Sequence, residues 1–63
     1  MTIKEITELI IQKLENDILY WQRRAIVANQ DCDHEACRRA LEEQGKNINS
    51  LIKLAETYNR QFS

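Results

Sequence analysis

The residues best equipped for chemistry lie together in mid-chain, in the run Asp31-Cys32-Asp33-His34-Glu35-Ala36-Cys37. Thiolate, imidazole and carboxylate are the usual zinc ligands, but a structural zinc site takes four of them, commonly as two closely spaced pairs. His34 and Cys37 could share a helix face, whereas Cys32 precedes that helix and the sequence holds no second pair of cysteines. A Cys32–Cys37 disulfide would need the bend to bring their Cα atoms within about 7 Å. Cys37 with His34 has the makings of a nucleophile and its base. No third group is placed to orient the histidine, and a pair of helices encloses no substrate. We therefore assign no catalytic residue, no metal and no cofactor. The expectation for this run is structural: acids that cap a helix, flanked by two small apolar thiols.

A second candidate group is basic. Arg23 and Arg24 precede the bend and Arg38 and Arg39 follow it. Folding back would bring the four to a similar height, roughly two helical turns from the bend, beside Tyr20 and Trp21. Guanidinium forks grip phosphates and carboxylates, and aromatic rings stack on bases. Such a cluster could hold a nucleotide or other phosphate-bearing molecule, or an acidic protein partner. Alternatively the arginines pair with Glu35, Glu42 and Glu43 on their own helix.

Both groups must be positioned by very few elements. The chain has 63 residues, room for one domain (1–63), with 43% hydrophobic and 30% charged residues, one glycine and no proline. So little turn-forming material excludes an architecture of many short strands, and the abundance of Ala, Leu, Glu, Gln, Lys and Arg favours helix. A net charge of −1 provides no field to draw nucleic acid. No apolar run reaches the roughly 18 residues of a membrane-spanning helix. The opening Met-Thr-Ile-Lys-Glu lacks the basic-then-apolar layout of a secretory leader. A cytoplasmic location with reduced thiols is expected.

Periodicity then predicts an all-α protein, a two-helix antiparallel hairpin over about 2–30 and 33–62. Thr2-Ile3-Lys4-Glu5 fits a capping box, with Met1 and Ile6 at the positions of a hydrophobic staple. From there Thr7, Ile11, Leu14, Ile18, Trp21, Ala25 and Ala28 alternate in steps of four and three, the repeat of helices packed side by side. Asp33 is the expected N-cap of the second helix, and Cys32 and Cys37 fall at its staple positions. The second seam is Cys37, Leu41, Gln44, Ile48, Leu51, Ala55, Tyr58 and Phe62. This repeat runs through Gly45, which favours one helix, with a break at Gly45 and a restart near Asn47 or Ser50 as the alternative. A helix-interior glycine costs about 1 kcal/mol relative to alanine and could admit a neighbouring backbone. Pairs Glu35–Arg39, Glu42–Lys46 and Glu56–Arg60 are spaced for ion pairing along the helix. Matching the seams outward from the bend places Trp21 beside Gln44 and Thr7 beside Tyr58, and the indole N–H predicts a Trp21–Gln44 contact.

One seam cannot use all the apolar residues. Ile3, Ile6, Leu9 and Ile10 lie off it in the first helix, as do Leu19, Tyr20, Ile26 and Val27, which read as a stripe at seven-residue spacing; Ile52 and Leu54 add to them. Burying each large aliphatic is worth on the order of 1.5–3 kcal/mol, so a patch of this size marks an association surface. Leu19, Tyr20, Ile26, Val27, Ile6, Ile10 and Ile52 are the expected interface. It serves a homodimer forming a four-helix bundle, docking on a different protein's helices, or both; the seams allow two hairpins to pack parallel or antiparallel.

With the chain length and the two seams, Asp31-Cys32-Asp33-His34-Glu35-Ala36 resembles the Asp-Ala-Asp-x-x-Ala turn of the Rop family, plasmid RNA-binding proteins built as antiparallel four-helix bundles from two hairpins. The resemblance implies that fold, and RNA binding through a polar and basic face of the first helix. At the corresponding positions this chain has Lys4, Ile11, Glu15, Leu19 and Ile26, apolar and acidic where RNA contact needs amides and cations. The stretch Gly45-Lys46-Asn47-Ile48-Asn49-Ser50-Leu51-Ile52 is similar in pattern to the small hairpin co-chaperones of type III secretion systems, which bind a partner chaperone through one apolar helical face. The chain also looks like small phage-encoded inhibitors. The expected function is non-enzymatic, an adaptor, chaperone or inhibitor acting by helix packing and self-association. The alternatives are a ligand-binding bundle with its anion at Arg23, Arg24, Arg38 and Arg39, and RNA binding of the Rop kind.

Overall fold

Side chains at the helix ends set where the chain turns. In the computed structural model, which describes residues 1–62, Thr2 is extended (φ −84°, ψ 162°) and its hydroxyl accepts from the Glu5 amide at 3.1 Å, opening helix α1, Ile3–Gln30. The other half of the capping box differs from expectation. The Glu5 carboxylate accepts from the Thr2 hydroxyl at 3.2 Å, so both contacts run through one side chain. At the far end the Cys32 amide donates to the Asn29 carbonyl (3.1 Å) and the Asp33 amide reaches back to Ala28 (2.8 Å). These are the two crossed bonds of a Schellman closure, which places one residue in the left-handed region. That residue is Cys32, at φ 57°. Asp33 then caps helix α2, His34–Phe62, by accepting from the Ala36 amide at 3.1 Å. Three residues thus end one helix, reverse the chain and start the next. α2 continues unbroken through Gly45.

The two helices pack antiparallel along their length. Every predicted seam residue of α1 faces α2: Thr7, Ile11, Leu14, Ile18 and Trp21 are half-buried, and Ala25 and Ala28 are buried. The seam of α2 is as expected at its outer end, through Leu51, Ala55, Tyr58 and Phe62, all half-buried. Nearer the turn Cys37 and Gln44 are half-buried as predicted, but the row between and beyond them is rotated. Ala40 is only 3% exposed, while the predicted Leu41 and Ile48 are 52% and 38% exposed, and the inward row passes through Ala36, Ala40, Glu43 and Asn47. A three-residue reversal holds the helices close, and at that distance alanine fits between the backbones and leucine does not. All the buried core residues, Ala25, Ala28 and Ala40, lie in this half.

The rotation also undoes the Trp21–Gln44 contact. The Gln44 amide donates to the Ile18 carbonyl at 3.4 Å, and the half-buried Trp21 opens toward the other side of the seam, where it lines a groove with Arg24 and Glu43. At the open end the Tyr58 hydroxyl donates to Glu8 at 2.8 Å, one residue from the predicted Thr7–Tyr58 layer. The molecule measures 44 × 18 × 12 Å. Its thickness is that of one helix with its side chains, about 10–12 Å, so the hairpin is a single layer with both broad faces open.

Candidate interaction faces

The turn brings its candidate ligands close in sequence but not into a site. Cys32 is exposed and Cys37 half-buried, both as free thiols. Asp33 is occupied as the α2 cap. Among the described residues, no three His, Cys, Asp or Glu side chains converge as metal ligands would.

The four arginines divide rather than gather. Arg38 sits between Glu35 (2.7 Å) and Glu42, and this pairing, led by the hydrogen bond to Glu35, holds its guanidinium still more firmly charged than usual. Arg39 approaches the same Glu35 at 3.8 Å. Lys46 pairs with Glu43 at 3.3 Å rather than with Glu42. Arg24 lies 6.0 Å from the centre of the Tyr20 ring, and Tyr20 meets Trp21 edge-on at 5.1 Å. Arg24 and Arg39 share a groove with Trp21, Ala36, Glu42 and Glu43, so acids stand beside the two arginines that do come together. Arg23 is one helical step of 100° from Arg24 and points away from that groove.

The apolar residues are arranged differently from the arginines. Leu19, Tyr20, Ile26, Val27, Ile6, Ile10 and Ile52 are all exposed, as are Ile3 and Leu9. They do not form one stripe. Ile26 lines a shallow groove with Gln22, Asn29, Gln30, Leu41 and Gln44, whereas Val27 lines one on the other face with Arg24, Asp31, Asp33 and Ala36. The helical repeat carries this division along the molecule, because residues three, four or seven apart share a face. Leu19 joins Ile26, and Ile48 and Ile52 join Leu41. Tyr20 joins Val27, and Ile3, Ile6 and Ile10 follow it toward the open end.

The two faces differ in charge. On the Ile26 face, the rows Leu19-Gln22-Ile26-Asn29 and Leu41-Gly45-Ile48-Ile52, with Gln44 between them, contain no charged residue, and Glu15, Arg23 and Arg38 border them at helical spacing. The Val27 face carries Arg24, Arg39 and Glu43 in its grooves. Further along it Lys13 pairs with Asp17 at 3.0 Å. Sequence periodicity named most of these residues; it missed Leu41 and Ile48, which it had assigned to the core. Comparison with family models, curated proteins and solved structures finds no match to this chain. No helix of the described residues is long and apolar enough to cross a membrane.

Proposed function

We propose that this protein is a non-enzymatic interaction module, an adaptor, chaperone or inhibitor that acts in the cytoplasm by packing its helices against other helices and that self-associates in doing so. The observation that carries this reading is the single-layer build. Stable domains bury their apolar surfaces between two or more layers, and here Leu19, Ile26, Leu41, Ile48 and Ile52 on one face, and Ile3, Ile6, Ile10, Tyr20 and Val27 on the other, lie open. Covering several of them yields on the order of 1.5–3 kcal/mol apiece, enough to offset the cost of association. A photo-reactive residue placed at Leu19, Tyr20, Ile26 or Val27, one position at a time in the living host, tests the reading. Adducts of one or a few discrete protein masses are expected, the chain's own among them. Absence of protein adducts from all four positions would refute it.

A further inference from the structure

We propose that the Ile26 face seats a second copy of this chain across a two-fold axis, with the α2 row Leu41-Gly45-Ile48-Ile52 and the α1 row Leu19-Gln22-Ile26-Asn29 forming the contact. This rests on the interaction-module reading and names the first occupant of one face.

Three observations choose that occupant. The first is charge. Across a two-fold axis a patch meets itself, so any net charge on it is set against its own kind. The central rows of the Ile26 face carry none, with Glu15, Arg23 and Arg38 at their margins, and their polar members Gln22 and Asn29 are amides, which donate and accept and can therefore pair with their own copies. The Val27 face, with Arg24, Arg39 and Glu43 in its grooves, lacks that freedom.

The second is Gly45. A Cβ built there meets nothing within 4 Å, so no packing inside the hairpin calls for a glycine in mid-helix. It lies four residues from Leu41 and three from Ile48, within the exposed row. A bare backbone in an apolar row lets another helix come close, and here that helix is external.

The third is area. The hairpin exposes 5016 Å², against about 4,200 Å² expected for a folded chain of this size. The excess, about 800 Å² spread over both open faces, is of the size that one partner contributes to an interface of standard size, so the chain has surface enough for one such contact.

Sedimentation equilibrium on the full chain tests the assignment, with helix content followed by circular dichroism. Ile26→Lys and Ile48→Lys should each weaken self-association by about tenfold or more, while Val27→Lys on the other face leaves it within about twofold. Gly45→Ala should act in opposite directions. It favours the helix and raises the unfolding midpoint of the dilute chain, yet weakens the dimer severalfold because the new methyl stands in the contact. That variant folds at least as well as the parent, so a folding defect cannot imitate the result. Self-association lost with Val27→Lys and kept with Ile26→Lys would overturn the face assignment and leave the module reading intact. Unchanged or tighter association of Gly45→Ala would overturn the contact at that residue. A chain that stays monomeric would remove the second copy as occupant, and cross-linking to a different protein would then show the module reading surviving without it.

Discussion

The turn half and the open half of this hairpin are held in different ways. Near the turn, Ala25, Ala28 and Ala40 close the helices onto each other, a Schellman closure ends α1, and Asp33 starts α2. At the open end the inward residues are large (Ile11, Leu14, Leu51, Tyr58, Phe62) yet each is only half-buried, and the long-range polar contact is the exposed Tyr58–Glu8 bond. Small residues complete a two-helix interface because backbones can touch. Large ones spread the helices and leave their own flanks exposed. The seam between the two helices is therefore closed in the turn half and looser in the open half, while the exposed apolar residues of the turn half lie on the outer flanks of that seam.

The sharpest way to break this contrast is to enlarge one alanine in each half. Ala40→Leu should cost about 1–3 kcal/mol through overpacking, whereas Ala55→Leu, among half-buried neighbours, should change stability by less than about 0.5 kcal/mol. Equal losses in urea denaturation would mean the halves are packed alike. Removing the caps comes next. Asp33→Ala should cost about 1 kcal/mol, and Thr2→Ala should cost less, because the first turn of α1 frays without disturbing the reversal; thermal unfolding ranks the two. Cys32→Gly should stabilise the chain by less than about 1 kcal/mol. Relief of the left-handed strain outweighs the freedom that glycine adds to the unfolded chain, and an unchanged midpoint would show that Cys32 is unstrained.

The smallest effect belongs to Tyr58. Its phenol is held above its ordinary value, near 10, chiefly by donating its proton to Glu8, then by partial burial and by the charge of Glu8. A group whose pKa is raised on folding contributes fully below its unfolded value, and that contribution is lost as pH climbs through the folded value. The midpoint difference between the parent chain and Tyr58→Phe should thus shrink above the tyrosine range. A difference that grows there would have the wrong sign for this hydrogen bond.

Much of the hairpin was legible in the residues. Thr2 and Asp33 carry side chains that cap helices, and the α1 seam repeats without fault. The α2 repeat outweighs the single glycine, so one helix runs through Gly45. The α2 seam near the turn was misread because periodicity weighs hydrophobicity and not size. It chose Leu41 over Ala40, although the close approach at that point admits the smaller side chain. The left-handed residue gave no signal, since cysteine stands where glycine is the usual choice. The candidate interface was legible residue by residue but not as two surfaces. Leu19 and Tyr20, like Ile26 and Val27, are neighbours in sequence, and a 100° step sends them to opposite faces. The arginines looked like a cluster because their heights along the hairpin agree, whereas their directions around the helices do not.

The three-residue reversal at Asp31–Asp33 also sets the order in which the structure forms. Closing so short a loop costs little chain entropy, and the residues nearest it along the seam, Ala28 and then Ala25 and Ala40, are the buried ones. Every later contact spans a longer loop, out to Glu8 and Tyr58. Folding is then expected to run as a zipper from the bend toward the ends, an order that stopped-flow refolding of variants at the two ends checks. Substitutions at Ala28 and Ala40 then slow folding, and those at Tyr58 speed unfolding.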